Sequence, residues 1–374
     1  MLRLVALVTI VAAAASPAFA QSGDARFVFP GQEPATKPRG PVATSPADEA
    51  LAADAADGRL DRVPLLEAAM TAGGIVDPRA QETYRRRFEH WVAELQVSGR
   101  MTGAERDKAR ALLEYLHDRV LTGGFRDTST SLDEAFEHGR FNCISSVILY
   151  RSLGERFALA IHGVETPGHA YAVVESPSGP IVVQTTCRGW FAAADDAATQ
   201  RDLLRRTIGE AAAATSEAAL EQRKLDDVGL VAVVYYNRGV DLLEAGRFEE
   251  AVAANEAALE LDARNSAARA NLLAAVNNWS LEVGRRGDLA QALQLLEIGL
   301  TYAPEYGLFH ENLVALHQQR LAKAVTIEES APQTKALRDA YTRWSRELQR
   351  RGASDEAQQV ARRAADDPFL RNVP

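Results

Sequence analysis

The chain has 374 residues, which is enough for two or three domains of ordinary size. Its 51 Asp and Glu residues outnumber its 42 Lys and Arg residues, so the net charge is −9. Because contacts to phosphates need a concentrated basic surface, this balance argues against a nucleic-acid-binding protein.

The first 20 residues have the three parts of a secretory signal peptide. Arg3 gives a short positive start, residues 4–15 are apolar, and Ala18-Phe19-Ala20 fits a small-residue cleavage site. The apolar run is too short to span a bilayer, and no other stretch reaches about 18 consecutive apolar residues. We therefore expect an exported protein, periplasmic or secreted, with no stable membrane anchor once the leader is removed.

The next two segments differ in composition. Residues 21–57 carry five prolines among Gly, Ser, Ala and Asp, which is typical of a flexible linker without a packed core. From residue 60 to residue 120 the apolar residues recur at helical spacing, and Gly123-Gly124 ends this pattern. The clearest stripe consists of Tyr84, Phe88, Trp91, Val92 and Leu95. These residues predict a helical segment whose stripes face a core.

The following segment predicts a helix and then an antiparallel hairpin. Asn142 is a good N-cap residue, and Gly154 is a plausible helix end. The β-forming runs are residues 157–161, 169–175 and 181–186, with turn residues at 176–179. We interpret residues 58–197 as one α+β domain. The Ala- and Glu-rich residues 198–231 are predicted to form a helical connector.

The last third of the chain contains an internal repeat. The first copy carries Tyr235, Gly239, Leu242, Gly246, Phe248, Ala251 and Ala258. The second has Gly287, Ala292, Leu296, Gly299 and Pro304; a weaker third, after a long helical insertion over residues 317–350, has Gly352, Ala357, Ala364 and Pro368. This pattern resembles the tetratricopeptide (TPR) repeat and predicts an all-α domain of paired helices over residues 232–374. An unrelated helical bundle is the alternative.

Three residues could carry chemistry together. Cys143 would open the helix capped by Asn142, where backbone N–H groups and the helix dipole stabilise a thiolate and lower the thiol pKa. A nucleophilic thiol needs an imidazole within reach and a third group to orient that imidazole. His169, at the start of one predicted strand, and Gln184, on the next, could supply these groups.

The same stretch resembles a bacterial transglutaminase-like domain, a member of the papain-like cysteine superfamily. The resemblance rests on the Cys143 helix, on Pro167-Gly168-His169-Ala170-Tyr171 and on the strand that follows. It implies that Cys143 is the nucleophile and His169 the general base. The family's usual Asp is replaced by Gln184, which can orient the imidazole but cannot stabilise an imidazolium by charge.

Other interpretations of these residues remain open. Cys143 could be a small buried hydrophobe, and His169 a core histidine whose hydrogen bonds are satisfied. Cys143 and Cys187 could form a structural disulfide, since an exported protein meets an oxidising compartment. Cys143, His162, His169 and Cys187 are all possible metal ligands, although their spacing matches no tight zinc pattern.

Two functions follow from the sequence. The first is an exported cysteine enzyme that acts on peptide or glutamine-type amides through a thioester, requires no cofactor and binds a protein or peptide partner in a TPR groove. The second is a catalytically inactive scaffold with the same architecture that binds envelope proteins. The Cys143 and His169 pattern favours the first function, whereas Gln184 and the nearby Cys187 favour the second.

Overall fold

The computed structural model describes residues 46–193, 196–218 and 222–371. The predicted signal peptide and most of the predicted linker, residues 1–45, lie outside the described residues. The described chain is mostly helical and contains a small antiparallel sheet, so its class is mixed α and β. It divides into two compact units: the first contains residues 46–238 and 257–265, and the second contains residues 239–256 and 266–371.

Helices make up most of the first unit. Up to residue 193 they are α1 (Pro46–Asp54), α2 (Leu65–Ala72), α3 (Pro78–Val97), α4 (Glu105–Tyr115), α5 (Leu132–His138) and α6 (Cys143–Glu155). Helix α4 continues directly into a π-helical turn over Leu116–Val120. In α3 the buried side chains are those of the predicted stripe, from Tyr84 to Leu95, which confirms that this stripe faces the core.

The predicted linker is too long at its C-terminal end. Residues 46–54 form helix α1, and a short 3₁₀ turn follows over Ala55–Asp57. Leu51 is buried in the first unit, and the Asp54 carboxylate accepts hydrogen bonds from the backbone N–H groups of Arg62 and Val63. The alanine-rich composition that suggested a linker is equally compatible with a helix, because alanine has the highest helix propensity.

Four strands form the sheet that carries the candidate site. They are β3 (Ile161–Thr166), β4 (His169–Val174), β5 (Ile181–Val183) and β6 (Arg223–Leu225), in the antiparallel order β5-β4-β3-β6. Helix α6 packs against β3 and β4. A separate pair of short parallel strands, β1 (Gly124–Phe125) and β2 (Arg140–Phe141), leads into α6.

Two details of the sheet differ from the prediction. The first predicted strand, residues 157–161, is a turn after α6 in which Leu159 N–H bonds Gly154 O and Ala158 has a φ of 57°. Strand β3 begins only at Ile161. Strand β6 lies within residues 198–231, the predicted helical connector, which also contain nearly all of α7 (Ala197–Ile208), α8 (Glu210–Ala218) and the start of the next helix. The connector therefore supplies an edge strand of the sheet.

Seven helices occupy the rest of the described chain. They are α9 (Asp227–Glu244), α10 (Phe248–Leu261), α11 (Ser266–Arg285), α12 (Leu289–Tyr302), α13 (Gly307–Lys323), α14 (Ile327–Arg350) and α15 (Ser354–Asp366). From α11 onwards each helix packs against the next. Residues 317–350, which the sequence predicted as one helical insertion, contain the end of α13 and all of α14. The two helices are separate because Thr326 and Glu329 form a capping box that starts α14.

Small residues allow close helix packing in the second unit. A Cβ atom added at Gly299 of α12 would lie 2.5 Å from the ring of Phe309 in α13, and one added at Gly284 would lie 3.0 Å from Leu316. These two helix pairs can approach closely only because glycine has no side chain. Among the residues that the structure describes, no helix combines the length and the apolar character needed to cross a bilayer.

Candidate functional site

Helix α6 begins where the sequence predicted, and its N-terminus presents Cys143. The Asn142 side chain accepts a hydrogen bond from Ser145 N–H at 2.9 Å, and Ser145 Oγ accepts one from Asn142 N–H at 2.9 Å. This reciprocal capping box satisfies two of the backbone donors that the first turn of a helix leaves without partners. Asn142 is therefore the N-cap residue, and Cys143 is the first residue of the helix.

The Cys143 sulfur lies against the start of strand β4. The backbone N–H group of Ala170, the residue directly after His169, faces this sulfur, as do the N–H groups of Cys143 itself and Ile144. Cys143 is only partly exposed. The fold thus brings the thiol next to the segment that carries His169.

The thiol is not activated in this conformation. Burial raises the pKa of Cys143 to about 11, which outweighs the three N–H groups that favour the thiolate, and the Glu165 carboxylate raises it further. The expectation that the helix N-terminus gives a low thiol pKa is therefore wrong. Among the described residues, no hydrogen bond joins this thiol to the His169 ring. At neutral pH the sulfur carries a proton.

His169 and Gln184 form a buried hydrogen-bonded pair. The distance between His169 Nε2 and Gln184 Oε1 is 2.7 Å, and both side chains are buried. An amide oxygen only accepts, so His169 Nε2 must carry the hydrogen and Nδ1 must carry the lone pair. Burial lowers the pKa of His169, which favours this neutral form. The imidazole is thus held as a neutral base.

The residue after Gln184 is anchored to helix α6. Thr185 Oγ1 lies 2.8 Å from Ser146 Oγ, and both groups are buried. Ser146 Oγ also lies 2.9 Å from Cys143 O, to which it can donate. The sequence analysis missed this link, because Ser146 and Thr185 are 39 positions apart and neither residue type is distinctive.

The two cysteines have separate surroundings, so the structure does not contain the disulfide considered above. Both are free. Cys187 Sγ lies 3.5 Å from Thr207 Oγ1 of α7, and Cys187 is buried. Cys143 instead faces Ala170 N–H on β4. Each sulfur atom therefore has its own neighbouring polar groups, and the two do not bond to each other.

The four possible metal ligands do not form one site. His162 Nδ1 lies 3.3 Å from the Glu175 carboxylate, while His169 is bonded to Gln184. Over residues 46–193, 196–218 and 222–371, no group of three or more His, Cys, Asp or Glu side chains is arranged to hold a metal ion. Of the predicted site residues, the fold joins His169 to Gln184 by a hydrogen bond and places Cys143 against the residue that follows His169.

Comparisons with known proteins add no further constraint. No protein-family model matches this chain, and no curated protein matches it.

Proposed function

We propose that this protein is a cysteine-dependent acyltransferase or amidohydrolase that acts on peptide or glutamine-type amides, with Cys143 as nucleophile and His169 as general base. The observation that carries this proposal is the 2.7 Å hydrogen bond between His169 Nε2 and Gln184 Oε1. This bond leaves the basic lone pair on Nδ1, in a residue whose chain neighbour Ala170 faces the Cys143 sulfur.

The state of the thiol favours proton transfer during attack over a preformed ion pair. His169 Nδ1 takes the proton from the thiol as the sulfur bonds to the amide carbon, and the backbone N–H of Cys143 supports the negative charge on the amide oxygen. His169 then gives this proton to the departing amine, which leaves an acyl thioester. Water or an acceptor amine attacks the thioester, releases an acid or a new amide, and restores the Cys143 thiol.

A blocked glutaminyl-glycine dipeptide with hydroxylamine tests this reaction. The product is a hydroxamate that is measured by colour, and ammonia release measures the competing hydrolysis. We expect turnover in the wild type and in Cys187→Ala, a matched control that removes the other thiol. Cys143→Ala should lose about 10⁴-fold or more, and His169→Ala about 10²-fold to 10⁴-fold. Equal turnover in Cys143→Ala and the wild type would exclude Cys143 as nucleophile.

A catalytically silent scaffold is the second candidate. The observation that favours it is the protonated, poorly activated thiol beside an uncharged orienting group, Gln184. In this case Cys143 alkylation by iodoacetamide should increase about tenfold per pH unit well above neutrality and should not change in His169→Ala. The enzyme proposal instead expects the alkylation rate at neutral pH to fall in His169→Ala.

We also propose that the second unit is a TPR-like domain that binds a protein or peptide. The consecutive packing of α11 to α15 and the glycine contact between α12 and α13 support this assignment. A photo-crosslinking residue at the exposed Gln294 of the full chain tests it, with the exposed Val97 of the first unit as the control position. Crosslinks of one defined mass from Gln294 and none from Val97 are expected. Crosslinks of equal yield from both positions would contradict it.

A further inference from the structure

We propose that His117 is a positioning residue for the Cys143, His169 and Gln184 site, an inference that rests on the function proposed above. His117 does not reach the reacting atoms. It holds the segment that presents Gln184 against the segment that leads to Cys143.

The first contact of His117 is with the segment after β5. Its Nε2 lies 2.9 Å from the backbone oxygen of Thr185, 68 residues away, and the His117 residue is only 6% exposed. Because a carbonyl oxygen only accepts, Nε2 carries the hydrogen and donates it. Thr185 directly follows Gln184, so this hydrogen bond fixes the backbone of the residue next to the group that orients His169.

The second contact of His117 is with the segment before α6. The His117 ring meets the Phe141 ring edge-on, with centroids 5.6 Å apart and planes at 76°. Phe141 is buried and lies two residues before Cys143. The His117 imidazole therefore contacts both the segment that precedes Cys143 and the segment that follows Gln184.

A third contact, which does not involve His117, joins Thr185 to helix α6. Ser146 Oγ, in the first turn of α6, lies 2.8 Å from Thr185 Oγ1. Thr185 is thus held through its carbonyl oxygen by His117 and through its side chain by the helix that carries Cys143. With both bonds formed, Gln184 has little freedom to turn away from His169.

The backbone around His117 is unusual. Leu121 N–H bonds Leu116 O at 2.7 Å, an i to i+5 bond that marks a π-turn at the end of α4. Such turns are rare and occur frequently at functional sites. Here the π-turn contains His117, which supports a role beyond filling the core.

Two substitutions separate the hydrogen bond from the packing. His117→Leu replaces the imidazole with an apolar side chain and so removes the donor, and His117→Gln keeps an N–H donor at a similar reach. Imidazole ¹⁵N chemical shifts of His169 report its tautomer without requiring any catalysis. We expect the Nε2–H tautomer to dominate in the wild type and in His117→Gln, and to mix with the Nδ1–H tautomer in His117→Leu. The exposed His138→Gln is the matched control.

Alkylation of Cys143 by iodoacetamide across pH gives the functional readout. His117→Leu should lower the His169-dependent rate by no more than Gln184→Ala does, and the double variant should lose no more than Gln184→Ala alone, since both substitutions act on one interaction. Fully additive losses, or an unchanged His169 tautomer in folded His117→Leu, would overturn the positioning role. If His117→Leu does not fold, His117→Asn, whose amide is too short to reach Thr185, replaces it in the comparison with His117→Gln.

The two proposals fail in different ways. If His169→Ala leaves Cys143 alkylation unchanged, the enzyme proposal fails, yet the ¹⁵N shifts still decide whether His117 fixes the His169 tautomer. If the shifts are insensitive to His117 while His169→Ala slows alkylation, only the positioning role is lost.

Discussion

The Tyr235 hydroxyl donates a 2.7 Å hydrogen bond to the Asp48 carboxylate, and the two residues are 187 positions apart. Both side chains are buried. Burial, together with the adjacent Asp48 charge, raises the pKa of Tyr235, so the phenol keeps its proton and remains a donor. The bond joins α1 to α9 within the first unit, although the sequence pattern assigned Asp48 to a linker and Tyr235 to a repeat.

Tyr235→Phe should therefore destabilise the first unit. Removing the hydroxyl deprives a buried carboxylate of a charge-assisted hydrogen bond, which costs about 1.5–3 kcal/mol. Chemical denaturation followed by circular dichroism measures the change as a lower midpoint. Tyr306→Phe is the control: among the described residues the Tyr306 hydroxyl has no hydrogen-bond partner, so we expect a change within about 0.5 kcal/mol. Equal midpoints for Tyr235→Phe and the wild type would show that the bond adds nothing.

The parts of the fold that local sequence determines were predictable. Helix α6 starts at Cys143 because Asn142 caps it, and β4 starts at His169 within a run of β-forming residues. The edge strand β6 has only three residues, and its partner β3 is about 60 positions earlier, so no local pattern indicates it. Pairing between distant segments is a property of the folded chain.

The candidate site shows the same division. Residue types and order predicted Cys143, His169 and Gln184 as a group, and within it the structure shows the hydrogen bond between His169 and Gln184. The pKa of the thiol was mispredicted because the helix N-terminus is a local feature, whereas burial depends on what the rest of the fold places around the sulfur. His117 was missed for a related reason: its link to Thr185 spans 68 positions.

Gln184→Glu should change how the His169 and Cys143 pair shares a proton. A carboxylate 2.7 Å from His169 Nε2, in place of the amide oxygen, raises the His169 pKa and stabilises an imidazolium. The positive charge of this imidazolium stabilises the Cys143 thiolate and so lowers the pKa of the thiol. Each unit by which that pKa falls gives roughly tenfold more thiolate at neutral pH. We expect faster Cys143 alkylation at pH 7 than in the wild type, measured by intact mass over time.

The control for this substitution is Gln184→Ala, which removes the orienting group without adding charge and should slow alkylation. Making both substitutions in the Cys187→Ala background ensures that the mass increase reports Cys143 alone, because the chain has only two cysteines. If Gln184→Glu and Gln184→Ala alter the Cys143 rate in the same direction, the charge of residue 184 does not act on His169.

Gly299→Ala tests the close helix packing in the second unit. Alanine normally stabilises the interior of a helix by about 0.5–1 kcal/mol relative to glycine. At Gly299, however, the added Cβ would lie 2.5 Å from the Phe309 ring, so α12 and α13 must separate or the ring must move. Overpacking of this kind costs about 1–3 kcal/mol. We expect a lower thermal midpoint for the variant.

Gly307→Ala is the matched control, because a Cβ at this first residue of α13 has no atom within 4 Å. It should leave the midpoint unchanged or raise it slightly. A Gly299→Ala protein at least as stable as the wild type would show that the α12 and α13 contact is not as close as the structure places it.

The stability of the protein should fall as the pH is lowered from about 7.5 to 5.5. Burial lowers the pKa of five histidines below the unfolded value of 6.5; they are His117, His162, His169, His310 and His317. Below pH 6.5 the unfolded chain therefore binds protons that the folded chain does not. Each such proton lowers the free energy of unfolding by up to about 1.4 kcal/mol per pH unit.

Removing one of these histidines should reduce that slope. His317 is buried in α13, and its Nδ1 has no hydrogen-bond partner in the described chain, so protonation there has no compensating acceptor. In His317→Leu the free energy of unfolding, measured by urea denaturation at several pH values, should depend less steeply on pH between 7.5 and 5.5. The exposed Gln294→Ala, which changes no titratable group, should keep the wild-type slope. An equal slope in His317→Leu would mean that His317 is protonated to the same extent in the folded and unfolded chains, which contradicts a burial-lowered pKa.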